Sequence, residues 1–292
     1  MAAPLFVCAF FVRIALALVY TGEYENRTFF TQRQAALCLR PAGPGKDYLI
    51  ELDGYPFGAA PVKPTGERYA LDADGLRLLA PVIPSKVYGL AKNYEAHAQF
   101  MHESGHSEIA HAPEDMVIFS KPSTSVIGPD DPIVIPPYSN DMNFEPEVAV
   151  IMGRIAKNVP VEKAMDYVLG FTCVNDVTLR DLQGLDPMWT RAKGFDTSCP
   201  LGPWIQTELD WKDAKISFTL NGEDVPMASG TTANLIHGIP EQIAAISSFS
   251  TLLPGDVIMT GTPNASGHLD PGDEPIVHVA GIGSLRNVVV RG

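Results

Sequence analysis

At 292 residues the chain is long enough to bury a large core, as one big domain or as two. Its make-up, 46% hydrophobic and 19% charged, is that of a soluble globular protein. Lys+Arg 21 against Asp+Glu 34 gives a net charge of −13. No basic stripe exists to neutralise phosphates, so nucleic acid is not an expected partner. An anionic small molecule can be held only where a local cation or metal overcomes the global repulsion.

Residues 4–20 are the most apolar part of the sequence. Arg13 interrupts them too early for a membrane span, and no charged start and small-residue cleavage site mark a signal peptide. One or two buried strands are expected there, and no membrane partner. From there to Pro81, short apolar runs alternate with turn formers such as Asp53-Gly54 and Asp74-Gly75. This predicts a small N-terminal β domain over residues 1–80, with Pro81-Val-Ile-Pro84 linking it to a second domain over 81–292. Residues 85–90 read as a strand and 91–103 as a helix that Gly105 stops. A polar, histidine-rich flap follows, through Pro113. Strands are predicted at 117–119 and 133–135, and over 143–153. Residues 160–169 read as a helix with Pro near its start. Asn175-Asp176 precedes a polar turn holding Arg180 and Gln183. A strand from 215 runs into an Asn221-Gly222 hairpin turn, 239–253 is helical, and the end from Val257 is β again. Cys8, Cys38, Cys173 and Cys199 show no Cys-x-x-Cys spacing. Buried thiols in a reducing cytoplasm are expected, with neither disulfides nor a zinc knuckle.

The chemistry concentrates at Asn143-Phe144-Glu145-Pro146-Glu147-Val148. Side chains on a strand alternate, so Glu145 and Glu147 at i and i+2 share a face. Two adjacent carboxylates beside an apolar run repel each other unless a cation sits between them. Oxygen-only ligands suit a hard divalent ion. The alternative is a solvent-facing edge strand, which Pro146 tolerates.

Taken in order, eight motifs over residues 81–292 resemble the fumarylacetoacetate hydrolase family. They are Asn93-Tyr94-x-x-His97, Phe119-x-Lys121-Pro122, Phe144-Glu145-x-Glu147, Asn175-Asp176-Val-Thr-x-Arg180-Asp181-x-Gln183, Lys193-x-Phe195-Asp196-Thr197, Gly202-Pro203-Trp204, Pro254-Gly255-Asp256-Val257-Ile258 and Thr260-Gly261-Thr262-Pro263. The resemblance implies an α+β, strand-rich fold, a mixed β-roll around a divalent metal, Mg²⁺ or Mn²⁺. The implied ligands are Glu145, Glu147 and Asp176. It also implies a small 2-oxo or 2-enol carboxylate as substrate and a homodimer. By the same resemblance Lys193 is the active-site lysine, Arg180, Gln183 and Thr262 line the substrate pocket, and His97 is the lid histidine. Lys121 is expected to be structural.

One departure bears on the reaction. In the family's C–C hydrolases the lid histidine pairs with a glutamate one helical turn on; here that position is Phe100. Glu103, at i+6, falls roughly 120° off the face of His97 on a regular helix. The water-activating half of a hydrolase is thus missing from the local sequence, while the metal-binding half is complete. The expected activity is isomerisation or decarboxylation of a 2-oxo acid through a metal-stabilised enolate. A C–C hydrolase whose missing carboxylate comes from Glu103, Glu108 or His102 folding back is the alternative. A family member that binds metal without turnover is a further one.

Overall fold

The computed structural model describes residues 15–21, 34–41, 47–53, 57, 63–70, 76–108 and 110–292. In chain order they form β1 (Ala15–Thr21), β2 (Gln34–Pro41), β3 (Asp47–Leu52), β4 (Pro64–Ala70), β5 (Leu76–Leu79) and β6 (Val87–Ala91). Helix α1 (Glu95–Glu103) precedes β7 (Val117–Lys121), β8 (Val126–Ile127), β9 (Pro132–Ile135), β10 (Met142–Phe144), β11 (Pro146–Met152), β12 (Val168–Asn175) and β13 (Thr178–Leu179). Short helices α2 (Arg180–Gln183) and α3 (Thr190–Lys193) lead to β14 (Cys199–Gln206), β15 (Lys215–Leu220), β16 (Glu223–Asp224) and β17 (Gly230–Thr231). Then come α4 (Ile239–Phe249), β18 (Val257–Met259), β19 (Gly267–His268), β20 (Pro275–Val279), β21 (Gly283–Arg286) and β22 (Val288–Arg291).

The backbone of the molecule is a 12-stranded mixed sheet ordered β4-β3-β2-β1-β14-β12-β11-β18-β6-β7, with β5 added on β1 and β8 on β14. Strands β1 to β5 therefore extend the sheet that carries the Glu-x-Glu segment, joined through antiparallel β1 and β14. Of the apolar stretch predicted at 4–20, Ala15–Thr21 is this first strand; residues 4–14 lie outside the described residues.

Strand β11 runs between β12 and β18, and all seven of its residues are buried. The reason lies in its sequence. Val148, Val150 and Met152 join one core cluster, while Ala149 and Ile151 join another on the opposite face. A strand covered on both faces needs apolar residues at successive positions, and Val148–Met152 supplies them. The edge-strand alternative for Glu145 and Glu147 is thus excluded. The larger core continues into α4 through Ile239, Ile243 and Ile246, and into the smaller sheet of β15, β20 and β21 through Phe218, Val277 and Leu285.

Three elements differ from the sequence expectation. The strand expected over 143–153 is broken at Glu145: β10 pairs with β13 and β19, and β11 with β12 and β18. The helix expected from residue 91 starts only at Glu95, because Lys92 is left-handed (φ 53°) and the Asn93 side chain is taken up by distant backbone. Residues Val161–Tyr167 form a 3₁₀ helix, and Val168 already belongs to β12. The Asn221-Gly222 hairpin forms as expected, both residues with positive φ and Leu220 opposite Glu223.

Gly170 lets β12 approach β14: a Cβ there would stand 2.5 Å from the Gln206 carbonyl oxygen, beside the register shift in that pair. Gly170→Ala is expected to lower the unfolding free energy by about 1–3 kcal/mol through overpacking. Chemical denaturation checks this, and an unchanged midpoint contradicts it.

Candidate metal centre

The break at Glu145 is what gathers the site. The Glu145 amide donates to Asn175 Oδ1 (2.9 Å), and the Asp176 amide donates to the Glu145 carbonyl (2.9 Å). These two bonds stitch the β10–β11 junction to the end of β12, where Asn175 lies opposite Pro146. The carboxylates of Glu145, Glu147 and Asp176 consequently point into one space, with one oxygen from each within 4.8 Å of the others. All three are buried.

Cations flank two of them. Arg180, at the start of α2, pairs with Glu145 Oε1. Lys193, at the end of α3, places Nζ 2.9 Å from Glu145 Oε2 and 2.5 Å from Asp176 Oδ2. Lys121 Nζ lies 2.8 Å from Asp176 Oδ1 and donates to the carbonyls of Val177 (3.0 Å) and Ser198 (2.7 Å). Burial alone would raise the Glu145 carboxyl, but Arg180, Lys193 and His97 outweigh it and hold the group well below the usual range. Burial, followed by the neighbouring Asp176 and Glu145, pushes Glu147 well above it. Among the described residues Glu147 has no cationic partner, only the Gly261 amide (2.6 Å) and the Thr262 hydroxyl (3.3 Å).

Those last donors depend on glycine. Gly261 has φ 104°, and a Cβ would stand 3.0 Å from Asn93 Cβ. Asn93 in turn donates to the carbonyls of Thr260 (2.9 Å) and His237 (3.0 Å), which fixes the turn beside the base of α1. Residues 93 to 97 and 260 to 262, far apart in sequence, are thereby locked together.

The donor set fits a hard divalent cation. It offers three carboxylates and no softer ligand. Asp176 Oδ1 receives no well-directed hydrogen bond although it is buried. Glu147, left without a cation, favours its proton until one arrives, so cation binding must displace that proton and weakens as pH falls.

All eight residues singled out from sequence line one cavity of about 330 Å³: His97, Glu145, Glu147, Asp176, Arg180, Gln183, Lys193 and Thr262. Gln183 is held by Arg180 Nη1 (2.7 Å), whose Nη2 also donates to Ser266. His97 is buried, and its Nδ1 lies 2.5 Å from the Asn264 carbonyl oxygen. A carbonyl only accepts, so Nδ1 carries the hydrogen and Nε2 is the free acceptor. Burial lowers the pKa of His97 and favours the neutral ring. Phe100 stacks on it at 6.5 Å between centroids. Glu103 instead accepts from Gln99 (2.8 Å), and His102 Nδ1 bonds the Ser107 carbonyl (3.0 Å). Neither folds back onto His97.

Lys121, expected to be structural, ties the Val177 and Ser198 carbonyls and also pairs with Asp176. Its burial behind Asp176 has no local signal. The role of Asn175 as acceptor for the Glu145 amide follows only from strand register. Trp189, also on the cavity wall, is left-handed (φ 55°); its carbonyl accepts the Lys193 amide (2.8 Å).

A family model described as fumarylacetoacetate (FAA) hydrolase C-terminal matches residues 86–290. The chain belongs to the fumarylacetoacetate hydrolase family. A second model, Rv2993c-like, N-terminal, matches residues 30–81. Protein Rv2993c of Mycobacterium tuberculosis is 44% identical, over 82% of this chain and 87% of its own. The rat mitochondrial oxaloacetate tautomerase Fahd2a is 38% identical, over 73% and 69%. A crystal structure of 5-carboxymethyl-2-hydroxymuconate delta-isomerase from Mycobacterium smegmatis superposes with a TM-score of 0.80 at 38% identity, over 95% of this chain and 100% of that one. Fumarylpyruvate hydrolase from Pseudomonas aeruginosa, solved with Mn²⁺ and pyruvate, gives 0.66 at 28% identity, over 76% and 94%. The protein is an enzyme of this family, strand-rich like its structural relatives. Among the described residues no helix is long and apolar enough to cross a membrane.

Saturating Mn²⁺ is expected to raise the thermal midpoint of the native protein, because a ligand bound only to the folded state stabilises it. Glu147→Ala is expected to abolish that rise. A rise of the same size in the variant removes Glu147 from the ligand set.

Proposed function

We propose that the protein isomerises 2-oxo and 2-enol carboxylates by moving a proton at the carbon beside the keto group, with Mg²⁺ or Mn²⁺ held by Glu145, Glu147 and Asp176. Bound there, the cation would act as a Lewis acid on the 2-oxo acid and lower the cost of enolate charge. Lys193 adds a fixed ammonium for the substrate carboxylate or the developing oxyanion, in a buried site where such charges act strongly. Glu145 orients that ammonium and the Arg180 guanidinium together. Thr262 lines the cavity with a hydroxyl already turned toward Glu147, and Gln183 is held in place by Arg180. His97, neutral and with Nε2 free, carries the proton.

The observation that favours isomerisation is the partner of His97. Water activation is served by a carboxylate that steadies the imidazolium, whereas His97 Nδ1 meets a backbone carbonyl and its ring meets Phe100. A proton shuttle takes up one proton at Nε2 and returns it, beginning and ending with the neutral ring. Decarboxylation of a 2-oxo diacid draws on the same enolate stabilisation without activated water. C–C hydrolysis is the second reading, supported by the likeness to fumarylpyruvate hydrolase. The same reading has the protein acting as a cytoplasmic homodimer on small anions, with residues 1–80 and 81–292 as its two domains.

Purified protein with Mg²⁺ or Mn²⁺ is expected to speed the loss of oxaloacetate enol absorbance, and to release no acetate and pyruvate from acetylpyruvate. His97→Gln is expected to slow the tautomerisation by about 10²–10⁴-fold. Stoichiometric acid pairs from acetylpyruvate contradict the reading in favour of the hydrolase.

A further inference from the structure

Arg180 lines the cavity, but its own helix is too short to hold it there. Helix α2 has four residues, about one turn, and a single turn does not fix its own orientation. Apolar packing adds Leu182 and little more, since Gly184 and Leu185 beyond it are exposed. What holds the helix is the turn over residues 139–141. The Arg180 amide donates to the Asp141 carbonyl (2.8 Å). The Asp181 carboxylate accepts from the Ser139 hydroxyl (2.8 Å) at one oxygen and from the Asn140 amide (3.1 Å) at the other. The turn is itself pinned: Ser139 is fully buried, and its carbonyl accepts from Arg291 Nη1 (3.1 Å) on β22.

Successive side chains on a helix project about 100° apart, so fixing Asp181 on the turn also fixes the bearing of Arg180. The same turn leads directly into β10, and β10 into Glu145. Both partners of the Arg180–Glu145 pair are therefore set from one short segment. The guanidinium spends Nη1 on Gln183 and Nη2 on Glu145 and Ser266. Its Nε is buried and, among the described residues, has no hydrogen-bond partner. A rigid planar fork with two ends engaged leaves its third donor a single direction. Asp181 is exposed and is not part of the cavity wall.

We propose that Asp181 is a positioning residue: its carboxylate, clamped on the 139–141 turn, aims the Arg180 guanidinium at Glu145 and into the cavity. The aiming is a property of the protein alone. Its effect on turnover rests on the 2-oxo carboxylate reading of the site, in which Arg180 meets the substrate. Asp181 acts through Arg180 and carries no proton for the reaction.

Two readouts test this in the native protein with Mg²⁺ and in Asp181→Ala, Asp181→Asn and Ser139→Ala. The first is ¹H–¹⁵N NMR of the arginine side chains, with the Arg180 signals assigned by their loss in Arg180→Lys. Asp181→Ala is expected to move or broaden those signals toward a mobile guanidinium. Asp181→Asn still offers an acceptor to the Asn140 amide and a donor to the Ser139 hydroxyl, and is expected to keep the native signals. Ser139→Ala, which removes one of the two bonds, is expected to fall between them. Unchanged Arg180 signals in Asp181→Ala overturn the proposal. So does a loss of the folded spectrum in all three variants, which would make the clamp a general tie of the fold. The second readout is tautomerisation of oxaloacetate above the uncatalysed rate. Asp181→Ala is expected to lower kcat/KM by about tenfold to a hundredfold, mainly through KM, and Asp181→Asn to restore it. An equal loss in Asp181→Asn overturns the proposal, because the charge and not the clamp is then responsible. If the native protein tautomerises no oxaloacetate while the NMR result holds, the enolisation reading falls and the aiming of Arg180 stands.

Discussion

Three buried carboxylates within 4.8 Å of one another form the constraint around which this molecule is arranged. Mutual repulsion and lost hydration both oppose their ionisation, so the fold surrounds them with compensating charge. Arg180 comes from α2, Lys193 from α3 and Lys121 from β7, all three buried. The compensation is uneven. Among the described residues Glu145 and Asp176 have cationic partners, while Glu147 has only an amide and a hydroxyl. That asymmetry is what a divalent cation would complete. The apolar run Val148–Met152 follows directly on Glu147 in β11, so the charged cluster is built against a doubly covered strand.

The reach of the site beyond the triad follows from two loop devices. The turn at Gly261, pinned by Asn93, brings Thr262 and Glu147 together and sets the base of α1, from which His97 enters the cavity. The left-handed Trp189 heads α3 and accepts the Lys193 amide, and the Lys193 ammonium lies 4.8 Å from the centre of the Phe119 ring. Two of the six non-glycine residues with positive φ among the described residues, Lys92 and Trp189, line this cavity. Local strain of this kind is commonly kept where geometry serves binding or chemistry.

Much of this was legible in the sequence. Period-two spacing placed Glu145 and Glu147 on one face, and the apolar run after them announced a strand; that it is covered on both faces is visible only in the fold. The order of motifs supplied Asp176, Arg180, Gln183, Lys193, Thr262 and His97, and all of them share the cavity. What escaped was tertiary. The break at Glu145 has no local cause beyond Pro146, since it arises from pairing with two different sets of strands. The late start of α1 reflects hydrogen bonds from Asn93 to residues well over a hundred positions away, which override the helical pattern of 91–94. Nothing near Lys121 in sequence shows that Val177, Ser198 and Asp176 surround its ammonium. The helical turn after His97 illustrates the opposite case: Phe100 where the family resemblance implies an acid was plain from the sequence, and the side chain does stack on the imidazole.

The central claim is that these three carboxylates hold one hard cation. Crystals soaked in Mn²⁺ and measured at the manganese absorption edge test it most directly. The account predicts a single strong anomalous peak within bonding distance of oxygens from Glu145, Glu147 and Asp176 together. A clean map at that position, or a peak bound only elsewhere on this acidic surface, would contradict it.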